Sequence, residues 1–122
     1  MEQFFKSIID QDRCAVVVCD LEHTVVYMNP AAVKRYENRG GAGLVGGNLL
    51  NCHGKESGAM IEKVLDWFKA DEGNNIVYTS YNDKENKDVY MVALRDEDNK
   101  LIGYYEKHEY RNRETAKMYD LG

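Results

Sequence analysis

The chain has 122 residues, 43% of them apolar and 30% charged, which fits one soluble globular domain able to bury its own core. Its formal net charge is -5, and the nearest thing to a basic stripe is Arg111-Asn112-Arg113 between Glu109 and Glu114, so direct nucleic-acid binding is not expected. The longest apolar run, 15–19, falls far short of the roughly 20 residues that a membrane span needs, and Glu2, Lys6, Asp10, Asp12 and Arg13 break any secretory signal, so a cytoplasmic protein without membrane contact is expected.

Residues 2–9 place Phe4, Phe5, Ile8 and Ile9 on one face at helical spacing, predicting a short amphipathic helix and an N-terminal helical cap over 1–12. The β-branched runs 14–20 and 24–29, separated by Leu21-Glu22-His23, predict a hairpin. Asn29 is a good N-cap and Pro30 a pre-set first helical residue, so a helix over 30–37 leaves directly from the second strand. Gly40 or Gly41 can supply the left-handed residue that ends it. Glycine-rich 40–54 is irregular, with short helical pieces at best.

Residues 57–72 space Met60, Ile61, Val64, Trp67 and Phe68 as one helical stripe that ends before Gly73. Three strands follow at 75–81, 88–95 and 100–110, joined by polar turns, and 111–122 is a polar tail or short helix. Helices gathered between the second and third of five strands predict an α+β domain over 13–110, one antiparallel sheet with helices on one face. In 88–95 both faces are apolar: Tyr90, Val92 and Leu94 on one, Val89, Met91 and Ala93 on the other. The face away from the helices therefore needs cover, from the N-terminal helix or from a second subunit.

The three cysteines, Cys14, Cys19 and Cys52, form no C-x-x-C and in an intracellular setting are reduced thiols. Cys14 and Cys19 are five apart on a predicted strand and point to opposite faces, so they cannot share a metal.

The run AVVVCDLEHTVVYMNPAAVKRY (15–36) resembles the opening hairpin and following helix of PAS (sensory box) domains, in which an aspartate ends the first strand and an asparagine the second, here Asp20 and Asn29. GLVGGNLLNCHG (43–54) resembles the family's glycine-leucine lead into its long helix, and VALRDEDNKLIGYYE (92–106) its final hairpin with an early glycine, Gly103. The resemblance spans about residues 10–110. NLLNCHGKES is also similar to PAS regions of bacterial signalling proteins that accompany a domain of unknown function and a hemerythrin-like module, where the Cys-His pair recurs. Two departures stand out. Glu109-Tyr110-Arg111 replaces the Asp-Ile-Thr-like signature that couples the sheet to an effector, and Asn99 stands where glycine is common, a turn position that asparagine also tolerates.

The resemblance implies a five-stranded antiparallel sheet, a small cavity beneath its helices that holds heme, flavin or a metabolite, and a homodimer through the sheet face or the N-terminal helix. Phe4, Phe5, Ile8 and Ile9 are then the candidate dimer interface. Candidate pocket residues are Cys52, His53, Met60, Ile61, Val64, Trp67 and Phe68, with Tyr78, Tyr90 and Val92 from the strands. His53 lies just before the long helix, where PAS heme sensors carry their iron ligand; the plainer reading is a helix-capping or surface histidine. Cys52 could be a redox thiol beside His53 and Lys55, or an inert buried one. Flavin-adduct chemistry is rejected, because Gly47-Asn48-Leu49 does not match the light-oxygen-voltage signature.

The six tyrosines of the last three strands (Tyr78, Tyr81, Tyr90, Tyr104, Tyr105, Tyr110) suit pocket walls and wet interfaces alike. Asp20 with His23, and His108 with Glu106 and Glu109, read as turn or strand-end residues on a solvated face. With no nucleophile elbow, P-loop or H-E-x-x-H, an enzyme is not expected. The expected function is a sensory domain that binds a small molecule or a separate signalling protein and relays a shift of the long helix. The alternatives are a heme-based redox or gas sensor using His53 and a ligand-free dimerisation module.

Overall fold

The computed structural model describes residues 1–122 except His53, with Cys52 described by its backbone alone. Helix α1 (Glu2–Asp10) precedes strands β1 (Val17–Asp20) and β2 (Val25–Met28) and helix α2 (Pro30–Arg35). Three single 3₁₀ turns, Glu37–Arg39, Gly41–Leu44 and Leu49–Cys52, lead to helix α3 (Lys55–Ala70) and strands β3 (Ile76–Asn82), β4 (Lys87–Arg95) and β5 (Leu101–Tyr110). The strands form one antiparallel sheet in the order β2-β1-β5-β4-β3, the predicted α+β architecture.

One side chain organises the start of the domain. Asn29 is fully buried; its Oδ1 accepts from the Val16 and Ala32 amides at 2.9 Å each, and its Nδ2 donates to the Ile9 and Cys14 carbonyls at 3.0 Å. It thus caps α2 and also replaces ladder bonds before β1, which explains why β1 begins at Val17 and not at residue 14. The helix predicted over 30–37 ends at Arg35, and the chain tightens into 3₁₀ geometry before Gly40 and Gly41, both at positive φ.

The core lies between the inner sheet face and the helical layer. It contains Cys19, Val25, Met28, Ala32, Leu65, Phe68, Met91, Leu101 and Tyr104. Helix α3 starts two residues before its predicted position and stops at Ala70, where Arg95 gathers its loose carbonyls. The guanidinium donates to the Phe68 carbonyl at 2.7 Å and to Asp71 and Asn74 at 3.2 Å each. Asn99 adopts φ 62° in the last turn. The free edge of β2 is blunted by residues 46–49, through Gly46 amide to Val25 carbonyl (2.8 Å), Val25 amide to Gly47 carbonyl (2.9 Å) and Leu49 amide to His23 carbonyl (2.8 Å).

Helix α1 lies against the outer sheet face but buries none of its residues. Its C-terminus is pinned by the Asp10 bond to the Tyr27 hydroxyl and by Asn29, while a groove of about 660 Å³ separates Phe5, Ile8 and Ile9 from Val18, Tyr27 and Tyr105. Residues 111–122 carry neither helix nor strand. Among the described residues, no helix is long and apolar enough to cross a membrane.

Candidate ligand-binding site

A cavity of about 320 Å³ opens beneath the helical layer. Its floor is the inner sheet face: Ala15 and Val17 before and on β1, Val25 and Met28 on β2, Met91 on β4, and Tyr104, Glu106 and His108 on β5. The period-two alternation of a strand puts those three polar residues on one side, while Tyr105 and Lys107 point to the outer groove. The roof comes from Tyr36, Arg39, Gly43, Leu44, Asn48, Leu49 and Asn51 in the 3₁₀ segments, and from Ile61 on α3.

Neither histidine side chain sits on a solvated face, contrary to expectation: His108 lines this cavity, and His23 contacts its floor residue Tyr104. His23 is 5% exposed at φ 67°, the left-handed residue of the β1–β2 turn. Its Nε2 bonds the Glu62 carboxylate of α3, and its Nδ1 lies 2.7 Å from the Tyr104 hydroxyl. A carboxylate beside Nε2 selects the Nε2–H tautomer, so Nδ1 accepts and Tyr104 donates. Burial raises the Tyr104 pKa and holds the hydroxyl protonated, and it pushes the neighbouring Cys19 thiol up to about 11. Cys14 is likewise raised by burial, so neither thiol is an activated nucleophile. The Tyr104–His23–Glu62 chain therefore ties the cavity floor to the first turn and to the solvent side of α3.

His108 has a side chain only 7% exposed, and its Nε2 lies 3.5 Å from a Glu106 carboxylate oxygen. Burial, with Lys87 and Arg35 nearby, lowers its pKa to about 4, so the ring is neutral at pH 7. Both cations are held by Glu85. Arg35 makes two 2.8 Å bonds to that carboxylate, which lower it to about 2, and buried Lys87 lies 3.3 Å from it and over the Tyr110 ring. Arg35–Glu85 thereby fastens α2 to the β3–β4 turn.

The depressed pKa of His108 has a consequence for stability. The unfolded histidine takes up a proton near pH 6.5 while the folded one stays neutral to about 4. Stability is therefore fully present above pH 6.5 and drains as pH falls towards 4, by an amount on the order of 2–3 kcal/mol. Urea denaturation midpoints across this window measure it. His108→Gln should flatten the decline; a wild-type midpoint unchanged down to pH 4 would refute the neutral buried ring. Glu85 titrates lower, between 4.5 and about 2, and does not confuse the reading.

The predicted pocket residues divide. Ile61 lines the cavity, and Val64 packs against the core beside it. Phe68 is fully buried in the core and does not line the cavity. Met60 and Trp67, 56% and 41% exposed, turn away from it, because the core-facing stripe of α3 runs through Ile61, Val64, Leu65 and Phe68. Tyr78, Tyr90 and Val92 belong to the outer face: Val92 and Tyr90 pair with the outward Tyr105 and Lys107, and Tyr78 stacks on Tyr90 at 5.5 Å. A strand buried on both faces gives no sequence cue to which face meets the helices. His53 and the Cys52 side chain, the proposed iron ligand and redox thiol, lie outside the described residues; Gly54 caps α3 just after them. Among the described residues, no group of three His, Cys, Asp or Glu side chains is placed to hold a metal.

No protein-family model matches the sequence, and no curated protein sequence matches it. Solved structures do match. The PAS domain of a Colwellia psychrerythraea protein superposes with a TM-score of 0.61 at 14% identity, over 89% of this chain and 95% of that one. A sensory box sensor histidine kinase from Vibrio cholerae gives 0.58 at 16% identity, covering 89% and 90%. The Aer2 receptor from Vibrio cholerae, a dual PAS-heme oxygen sensor, gives 0.56 at 19% identity, covering 77% and 90%. This chain has the PAS fold.

Proposed function

We propose that this chain is a sensory signalling module whose cavity receives a small molecule and whose response travels through α3 to α1 and a dimer face. The observation that carries this reading is the roughly 320 Å³ cavity, within the lower range of small-ligand sites, whose floor residue Tyr104 is hydrogen-bonded through His23 to Glu62 on α3. A ligand that displaces or engages Tyr104 changes what holds α3 to the β1–β2 turn. Structural neighbours that act as a sensor kinase and an oxygen sensor support the same reading.

Helix α1 supplies the output side. Phe4, Phe5 and Ile8 are 69%, 56% and 69% exposed on a nine-residue helix, too short to be stable alone, and half-exposed Ile9 continues the stripe. A second copy packed on this face would cover them and the outer groove. Homodimerisation through α1 is therefore part of the proposal.

The test is a thermal-shift screen of metabolites on the purified protein, with its mass measured by sedimentation. A ligand at about a hundredfold excess over its Kd should add roughly 2.7 kcal/mol of stability, and Val17→Phe, which fills the cavity floor, should abolish the gain. Phe5→Glu with Ile8→Glu should convert a dimer to monomer. If no small molecule shifts the melting point and Val17→Phe raises it, the cavity is a packing defect and the sensory reading fails. A Soret band on adding hemin, lost in His53→Ala, would make heme the ligand instead.

A further inference from the structure

The two edges of the sheet differ. The β2 edge is covered by residues 46–49, whereas β3 pairs with β4 and, among the described residues, with no other strand. The Asn75 carbonyl accepts from the Ala93 amide at 2.8 Å, which sets the alternation along the strand. Asn75 and Val77 face β4, and the main-chain groups of Ile76 and Tyr78 point away from it, to the free edge. The side chains of the same two residues lie on the outer sheet face with Val92 and Tyr90, and they are 57% and 55% exposed. Strand β3, IVYTSYN, contains neither a charged residue nor a proline, the residue types that guard an open edge.

From this we infer that a second copy of the chain docks on this edge, β3 against β3 in antiparallel register about a two-fold axis at Val77. Ile76 of one copy then lies opposite Tyr78 of the other and exchanges both main-chain hydrogen bonds with it. The axis repeats the exchange on its other side. The same register sets each exposed Ile76 side chain beside a Tyr78 ring, a β-branched–aromatic pair of the kind that stabilises sheets. The strand is its own complement, because its free main-chain groups and its exposed apolar side chains fall on the same two residues, flanking one centre. No like charges oppose each other, since the strand carries none. The bulge between Tyr78 and Ser80 ends the regular edge, so the contact is short and belongs to the weak, transient class. It is separate from the cavity and from the α1 face, and depends on neither.

The experiment is sedimentation of the full chain carrying Phe5→Glu and Ile8→Glu, so that the α1 face is removed, from about 10 μM to about 1 mM. The mass should be that of a monomer at the lower end and rise towards a dimer at the upper. Adding Ile76→Glu, or separately Tyr78→Lys, should weaken this association at least about tenfold, through like charges meeting across the axis. Both positions are exposed, and unchanged melting temperatures check that the variants fold. Mixing the two variants sets the new carboxylate opposite the new ammonium and keeps the other Ile76–Tyr78 pair. The mixture should associate within about threefold of the parent. Association that survives Ile76→Glu, or a mixture no stronger than either variant alone, overturns the edge pairing. So does a parent that stays monomeric to about 1 mM. The cavity and the α1 dimer are tested at micromolar concentration in the unmodified chain, so their failure is read separately.

Discussion

Replacing Asn29 with alanine is expected to remove a large part of the stability of this domain. The side chain is fully buried and serves two amides and two carbonyls from three separate segments, the end of α1, the approach to β1 and the first turn of α2. Loss of the N-cap alone costs about 1 kcal/mol. Each buried backbone group left without a partner adds about 1–3 kcal/mol. Because the groups share one side chain their losses do not simply add, and about 3–5 kcal/mol is expected. That is a large part of the roughly 5–15 kcal/mol that holds a domain together.

The comparison with Asn29→Asp separates the two halves of the network. Aspartate keeps the acceptor for Val16 and Ala32 but loses both donated bonds and turns a charge towards the Ile9 and Cys14 carbonyls. Burial beside carbonyl oxygens raises the pKa of that carboxyl above its unfolded value. Its penalty is therefore greatest at neutral pH and shrinks as the group is protonated in acid. Urea unfolding of both variants at neutral and acidic pH is the measurement. A loss below about 1 kcal/mol for Asn29→Ala would show that the backbone finds other partners.

Gly103→Ala is expected to be nearly as damaging, by a different route. A Cβ built at Gly103 would lie 2.3 Å from the Cys19 carbonyl oxygen and 3.3 Å from its carbon. Both are backbone atoms of β1, the strand that β5 pairs with at Asp20↔Gly103, so no side-chain rotation relieves the contact. The two strands must separate, with loss of ladder bonds at the middle of the sheet. A cost of about 3 kcal/mol or more follows, at the upper end of ordinary overpacking. Gly43→Ala is the matching control: nothing lies within 4 Å of its Cβ and its φ is not positive, so the melting temperature should barely move. Equal effects at the two glycines would mean that the β1–β5 approach is not as close as described.

These two positions also separate local sequence signals from effects of the fold. Asn29 was legible as an N-cap because Asn-Pro at the start of an apolar helix has a local physical reason. Its larger role, joining α1 and β1, depends on segments distant in sequence. Gly103 stood out only through resemblance to a PAS hairpin; its cause is the neighbouring strand's carbonyl. The histidines are the sharper case. His23 and His108 read as turn and strand-end residues among charged neighbours, which is where exposed histidines lie. Their side chains leave solvent because Glu62, thirty-nine residues away, reaches back over one, and the other lies among Arg35, Lys87 and Glu85 from distant segments.

Element order, the antiparallel hairpins and the α+β class are legible from local patterning, because helical and strand periodicities and turn residues act over a few neighbours. So is the apolar stripe that α1 presents. Tertiary structure alone decided which face of β4 meets the helices, and so turned Tyr78, Tyr90 and Val92 outwards while bringing Glu106 and His108 to the cavity. It likewise rotated α3 so that Ile61, but not Met60 or Trp67, reaches the ligand space. Alternation along a strand fixes which residues share a face. Only the packing of the whole sheet against its helices fixes which face is inside.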